Sequence, residues 1–303
     1  MPLQIPDPNP NPEKKMEIEH SEVSINGLNL HIAQIGKDEL GTVVFLHGFP
    51  EIWYSWRHQM IAVAEAGYKA IAPDWRGYGL SDQPQDPENA AWEHLILDIL
   101  GILDALSIPK VFLVAKDFGA LPAYLFALTY PDRTCGIVCI GIPFPMSLNF
   151  DSLPEGFYIK RWQEIGRAEA DFEGKEIIDL ADSSAPLPEW FTEQDLSQYA
   201  SLYEKNGFAY PLEMPYRALL KGGNLPDAKI QAPVLLIQGE KDYVFKFPGV
   251  YEVIKGGIMQ KYVSNLEISY MPEGNHFAQE QLPDQVNQLI IGFLKGHQVN
   301  SQG

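Results

Sequence analysis

The chain has 303 residues, 46% of them hydrophobic and 20% charged, enough for one large domain or two small ones with a substantial core. Its 40 acidic against 22 basic residues give a formal charge of -18, which repels phosphate backbones and anionic lipid and argues against nucleic-acid and membrane partners. The same field disfavours an anionic substrate and leaves a neutral one unaffected.

Residues 1–19 begin MPLQIPDPNPNPEKK, Pro-rich and without the apolar run of a signal peptide, and are expected to form a disordered extension. No segment approaches the ~20 apolar residues of a membrane span. The final Asn-Ser-Gln-Gly is not a peroxisomal address, so the cytosol is the expected location. From His20 to Gln34 apolar and polar residues alternate around Asn26-Gly27, the pattern of a β-hairpin. Thr42 to Leu46 is a short apolar run suited to a strand buried on both faces. Trp53 to Ala66 has helical spacing ended by Gly67, and Lys69 to Ala72 reads as the next strand. A helix over Trp92 to Leu106 and a strand over Val111 to Ala115 follow. Phe118 to Tyr130 is apolar all round, a buried helix with Pro122 in its first turns. Thr134 to Ile140 is the next strand. Its Cys135 and Cys139 are too far apart along one strand to bridge, and read as small apolar residues of a reducing compartment. No Cys or His spacing suits a metal, so no structural zinc is expected.

Strand and helix alternate in this way as they do in a mostly parallel, doubly wound α/β sheet. The rhythm breaks between 143 and 231, where prolines, aromatics and charges mix with helical stretches. It resumes with strands at Val234 to Gln238 and Leu266 to Tyr270 and a helix from Pro283 to Lys295. The organisation is thus a core of residues 20–142 and 232–298 with a helical cap, 143–231, inserted.

Ala115-Lys116-Asp117-Phe118-Gly119 falls where a strand gives way to a buried helix, the junction at which a nucleophile elbow places its reactive side chain. The helix dipole and Lys116 both favour an ionised Asp117. On spacing alone the segment reads equally well as a helix N-cap. The order of the other parts favours the elbow. Asp242 follows the strand ending at Gln238 and His276 follows the strand ending near Tyr270, the α/β-hydrolase order of nucleophile, acid and histidine at carboxyl ends of strands. Singly, Asp242 would be a turn former and His276 a solvated histidine. In the loop His47-Gly48-Phe49-Pro50 the backbone does the chemistry and His47 is structural. The amides of Phe49 and Phe118 are the expected oxyanion donors. No serine occupies the elbow. A carboxylate attacking an ester carbonyl would give a labile anhydride, so Asp117 suits displacement at a saturated carbon: epoxide opening or loss of halide.

His47-Gly48-Phe49-Pro50-Glu51, Trp53-Tyr54-Ser55-Trp56-Arg57, Arg76-Gly77-Tyr78-Gly79-Leu80-Ser81-Asp82 and Lys116-Asp117-Phe118-Gly119-Ala120 together resemble the plant soluble epoxide hydrolases, over nearly everything from Glu22 to the last helix. The resemblance implies an α/β-hydrolase fold with an inserted helical cap. It also implies hydrolysis of a small neutral epoxide to a vicinal diol through an aspartyl ester, with water as co-substrate and no cofactor. It assigns Tyr158, within Phe157 to Glu164, and Tyr216, within Met214 to Arg217, to the phenol pair that holds the epoxide oxygen, and Glu51 to positioning water. The chain passes directly from Ala168-Glu169-Ala170-Asp171-Phe172 to Glu173-Gly174-Lys175-Glu176-Ile177, so its cap is read as shortened. Two rival readings remain. A haloalkane dehalogenase-like hydrolase needs side-chain donors for the halide, and Phe49 and Phe118 supply none. A non-catalytic small-molecule-binding paralogue shares the fold but has no use for an intact Asp117, Asp242 and His276.

Overall fold

The computed structural model describes residues 16–144, 186–221, 229–246 and 249–298. Residues 1–15 of the expected extension, and with them Tyr158 and the shortened stretch of the expected cap, lie outside the described residues.

Asn26 and Gly27 take φ of 50° and 80°, the left-handed pair that a two-residue hairpin turn requires. They join β1 (Glu19–Ile25) to β2 (Leu28–Ile35) in an antiparallel register running from Glu19 opposite Gln34 to Ile25 opposite Leu28. Along the chain follow β3 (Thr42–Leu46), β4 (Lys69–Pro73), β5 (Val111–Lys116), β6 (Thr134–Ile140), β7 (Val234–Gly239) and β8 (Leu266–Met271). They form one sheet in the order β1-β2-β4-β3-β5-β6-β7-β8, parallel from β4 onward. Every residue of β3, β5 and β7 is buried, as in strands covered by helices on both faces. The order reverses at β3, which has β4 on one side and β5 on the other, and the crevice beyond the carboxyl ends of such strands is where open α/β sheets bind ligands.

The helix expected from Trp53 divides into a 3-10 turn, Trp53–Trp56, and α1 (Arg57–Glu65). The Trp53 amide at its start is taken by Asp74 beyond the end of β4, at 2.9 Å. α2 (Trp92–Ala105) presents Leu95, Ile99, Ile102 and Leu103 to the core. α3 (Ala120–Thr129) buries Ala120 through Ala127, and Pro122 lies in its first turn, where the missing N–H costs nothing. Between β6 and β7 the described residues hold α4 (Glu193–Tyr203), started by a capping box of Thr192 and Asp195, and α5 (Ala209–Leu220), with Pro215 inside it. α6 (Val250–Ile254), α7 (Ala278–Gln281) and α8 (Pro283–Gly296) complete the chain. Cys135 is half-buried and Cys139 buried, both free. No helix among the described residues is long and apolar enough to cross a membrane.

The segment after β4 is held by a buried bidentate pair. Arg76 donates to both oxygens of Asp98 on α2, at 2.7 and 2.6 Å, and Asn26 of the hairpin turn donates to Asp98 as well. Removing one partner of such a pair strands a buried charge. Asp98→Ala is expected to lower the unfolding free energy by about 3–5 kcal/mol, read as a lower urea midpoint at unchanged slope.

Candidate active site

β5 ends at Lys116, and Asp117 then takes φ of 50°. A non-glycine residue is held there only by its surroundings, at a cost of about 1–3 kcal/mol, and such strain collects at functional turns. The reversal puts Asp117 at the head of a 3-10 turn, Asp117–Gly119, that runs into α3. Its carboxylate is buried, and the Phe49 amide donates to Oδ1 at 2.9 Å. The loop after β3 can approach this closely only because residue 48 is glycine, since a Cβ there would lie 2.3 Å from Asp117 Oδ1. The Phe49–Pro50 peptide that follows is cis. His47 is wholly buried, accepting from the Trp75 amide at 3.1 Å and meeting the Gly48 carbonyl at 2.9 Å. Burial holds its pKa down, so it packs as a neutral ring.

His276 stands in the loop beyond β8 and Asp242 in the loop beyond β7. The imidazole Nδ1 lies 3.0 and 3.1 Å from the two Asp242 oxygens, and Asp242 Oδ1 also accepts the Val244 amide at 2.8 Å. Nε2 points to Asp117 Oδ2 at 3.4 Å and, among the described residues, makes no hydrogen bond. Asp242 therefore fixes the ring and leaves the opposite nitrogen facing Asp117, a geometry in which the imidazole can handle a proton beside that carboxylate. Burial disfavours the Asp117 anion, yet His276, the charge of Lys116 and the Phe49 amide outweigh it and hold the carboxyl below its ordinary value. Burial and Lys116 likewise oppose the imidazolium, and Asp117 and Asp242 together outweigh them and raise the His276 pKa.

Tyr216, on α5, packs edge-on against Phe118 with ring centroids 5.6 Å apart, beside the nucleophile. Glu51 is engaged with protein donors at both oxygens. Lys116 donates to Oε2 at 2.8 Å and Gln279 donates to Oε1, all three side chains being buried. The Lys116 ammonium also sits 4.6 Å from the centroid of the Phe277 ring, next to the base. Sequence reasoning expected Lys116 to act on Asp117 alone. It could not see that half of this cation belongs to Glu51, because the two are 65 residues apart. Two further residues went unnoticed. Tyr243, directly after Asp242, has its ring centroid 4.6 Å from that of His276. Gln279, three residues after the base, ties the base loop to Glu51. Adjacency to the acid and to the base was the only signal for either. Of the expected site residues, the structure thus gathers Asp117, His276, Asp242, Phe49, Phe118 and Tyr216, with Glu51 beside Lys116. A cavity of about 490 Å³, lined among others by Pro50, Glu51, Trp190, Tyr199, Tyr203 and Phe277, touches Glu51 but none of Asp117, His276, Asp242, Phe118 and Tyr216. Among the described residues no cluster of His, Cys, Asp and Glu is arranged to hold a metal.

Comparison with known proteins gives consistent results. The family described as the alpha/beta hydrolase fold matches residues 41–281. Epoxide hydrolase 1 of Siraitia grosvenorii is 37% identical over 313 aligned positions, covering 92% of this chain and 99% of that protein. Epoxide hydrolase 4 of Mus musculus is 31% identical, covering 89% of this chain and 77% of that protein. Among solved structures, an epoxide hydrolase from Vigna radiata superposes with a TM-score of 0.81 at 32% identity, covering 95% of this chain and all of its own (100%). A laboratory-evolved variant of potato epoxide hydrolase gives 0.79 at 33% identity, covering 92% of this chain and 100% of its own.

The two carboxylates around one imidazole can be separated by titration. The His276 ring, followed by nuclear magnetic resonance, is expected to titrate above an ordinary histidine. Asp117→Asn removes one of the two groups that favour the cation, so the midpoint should fall, by roughly one pH unit for ~1.4 kcal/mol of lost interaction. An unmoved midpoint would mean that Asp117 and His276 do not sense each other.

Proposed function

The chain belongs to the alpha/beta hydrolase fold and, within it, to the epoxide hydrolases, and on that premise we propose that Asp117, His276 and Asp242 hydrolyse a neutral epoxide to a vicinal diol through a covalent aspartyl ester. One observation carries the assignment of residues: a carboxylate, not a hydroxyl, occupies the strained elbow, and it faces the Nε2 of an Asp-held imidazole at 3.4 Å.

The steps follow from charge and position. An Asp117 oxygen attacks one ring carbon from the side opposite the breaking C–O bond. The bonding pair moves to the epoxide oxygen, which takes a proton from a phenol. Tyr216 is placed for this beside Phe118. Tyr158, which lies outside the described residues, is its proposed partner in the cap, residues 143–231. Tyrosine, with a pKa near ~10, can donate a hydrogen bond and then a proton to a developing alkoxide. Esterification removes the charge of Asp117, one of the groups that raise the His276 pKa, so the imidazole becomes readier to be neutral at the step where a neutral base is needed. His276 then deprotonates water, hydroxide adds to the ester carbonyl, and the amides of Phe49 and Phe118 hold the resulting oxyanion. Collapse expels the diol oxygen, which takes the hydroxyl proton of the intermediate, and the imidazolium returns its proton to the phenolate, so the diol leaves and the carboxylate is restored with one oxygen from the water. Glu51 is assigned to positioning this water with the lone pairs that Lys116 and Gln279, which donate to its two oxygens, leave over. A formal charge of -18 agrees with a cytosolic enzyme that avoids anionic membranes.

Four measurements test this reading. With styrene oxide-like epoxides, Asp117→Ala should lose turnover by a factor of about 10⁴ or more, and halide release from haloalkanes should be absent in every form. His276→Gln should stop at the ester, giving one equivalent of adduct on Asp117 by mass spectrometry and no diol. A single turnover in ¹⁸O-water should place the label in Asp117, whereas a label in the diol would mean direct attack of water on the ring.

The pH dependence has a definite sign. The base works when neutral, so activity falls as the pH drops through the His276 pKa. Where hydrolysis of the ester limits turnover, kcat should fall at a lower pH than the midpoint at which His276 titrates in the free enzyme, because the ester no longer carries the Asp117 charge that raises it. A kcat limb at or above the free-enzyme midpoint would contradict the coupling between Asp117 and His276.

A further inference from the structure

α5 contains a proline where its hydrogen-bond ladder should continue. In an α-helix the amide of residue 215 would donate to the carbonyl of residue 211, and Pro215 has no N–H to give. The Pro211 carbonyl is nevertheless satisfied: the hydroxyl of Tyr78 donates to it at 2.8 Å. Tyr78 comes from another part of the molecule, the turn after β4, and is only 1% exposed. Burial, together with neighbouring phenols and Asp117, pushes its pKa well up, so the hydroxyl remains a donor. The residue immediately after Pro215 is Tyr216.

The surroundings show that this contact is built in. Arg76, two residues before Tyr78, is pinned to α2 by both oxygens of Asp98. Gly77 has φ of 76°, and a Cβ there would lie 2.1 Å from the Tyr210 ring, so α5 seats directly on this turn. The bend between α4 and α5 clasps the other side, with Asn206 donating to the carbonyls of Gly79 and Ser81 at 2.9 and 2.8 Å. The Tyr78 ring stands 5.1 Å from that of His47 in the oxyanion loop, so one side chain spans the gap between that loop and α5.

We propose that Tyr78 is a positioning residue for Tyr216: its hydroxyl supplies the hydrogen bond that Pro215 cannot make to the Pro211 carbonyl, and so fixes the helical turn that sets Tyr216 against Phe118. A proline inside a helix is a hinge unless its freed carbonyl finds another donor. With the donor in place, the turn carrying Tyr216 has one setting relative to the nucleophile. Without it, the turn can swing, and misplacement of a reacting group by about 1 Å costs roughly a hundredfold in rate. The proposal rests on the reading of Tyr216 as the phenol that protonates the opening epoxide. It places the effect of Tyr78 on the ring-opening step, since ester hydrolysis depends on His276 and the amides of Phe49 and Phe118.

The test separates the two steps and uses the proline to check the mechanism. Formation of the Asp117 ester and its hydrolysis are timed in single turnovers with a styrene oxide-like epoxide. Tyr78→Phe should slow ester formation about tenfold or more and leave hydrolysis within about twofold. Pro215→Ala restores an amide that can donate to the Pro211 carbonyl. Adding it to Tyr78→Phe should therefore bring ester formation back to within about threefold of wild type. The proposal is overturned if Tyr78→Phe forms ester at the wild-type rate, if both steps slow alike, or if Pro215→Ala gives no rescue. Should Tyr78→Phe fail to fold, the double variant is compared with Pro215→Ala alone: equal rates support the proposal, and a tenfold gap between them overturns it. Tyr216→Phe run alongside tells the failures apart. If it forms ester at the wild-type rate, the assignment of Tyr216 fails, whereas a slow Tyr216→Phe beside an unaffected Tyr78→Phe rejects the link alone.

Discussion

The site depends on keeping the Asp117 carboxylate ionised in a place nearly closed to water. Asp117 is 6% exposed, a burial at which an isolated carboxyl would take up a proton and lose its chemistry. What prevents this is the His276 imidazole, itself held by Asp242, with the charge of Lys116 and the Phe49 N–H. Backbone amides are well suited to the task because they cannot leave and carry no proton that titrates near neutrality. The imidazole contributes attraction without a permanent charge, so the balance can shift when the charge of Asp117 changes.

The fold supplies those donors by topology. β3 and β5 are neighbours in the sheet but 60-odd residues apart in sequence, with Leu46 opposite Ala115. Their carboxyl ends therefore bring the Phe49 amide and Asp117 together with little freedom. β7 and β8 pair from Val234 opposite Leu266 to Gly239 opposite Met271, which sets the loops bearing Asp242 and His276 side by side in the same way. The Lys116–Glu51 pair lies between these halves. Burying a lysine costs several kcal/mol unless its charge is met, and here a carboxylate at 2.8 Å and an aromatic face meet it. Its partner Glu51 receives Gln279, whose carbonyl in turn accepts from Gln59 on α1. The end of β5, the loop after β3, α7 and α1 are thus joined by one buried polar chain.

Much of this was legible in the sequence. The hairpin turned at Asn26-Gly27 because only certain residues accept that backbone, and β3 read as buried on both faces because nothing polar interrupts it. Asp117, Asp242 and His276 could be named because each follows a strand end in an order that the chemistry constrains. Pairings across the sheet were not legible. Nothing in a run of letters ties Lys116 to Glu51, or Tyr78 to a carbonyl 133 residues away, since such contacts follow from three-dimensional placement after the strands have assembled. Pro215 illustrates the limit: a proline has no N–H for the helix ladder, yet the structure keeps the helix, and the Tyr78 hydroxyl from outside it donates to the Pro211 carbonyl.

The docking of α4 shows the same preference for directional contacts over apolar ones. Arg57 of α1 lies over the Tyr54 ring and forks between Asp195 at the start of α4, 2.9 Å away, and Glu280 of α7, 2.6 Å away. Tyr199 of α4 donates to the same Glu280 at 2.8 Å, and Tyr203 donates to the Glu51 carbonyl at 3.2 Å. Apolar side chains could bury equal area in several registers, because the hydrophobic effect has no direction. A planar guanidinium gripping two carboxylates accepts only one. Glu280 is four residues beyond His276, so the same fork that seats α4 also fixes the helix on which the base loop ends. The cost is the desolvation of several charges. The return is that helix, oxyanion loop and base share a single frame, and reactions whose groups must meet within tenths of an ångström require that frame more than they require additional stability.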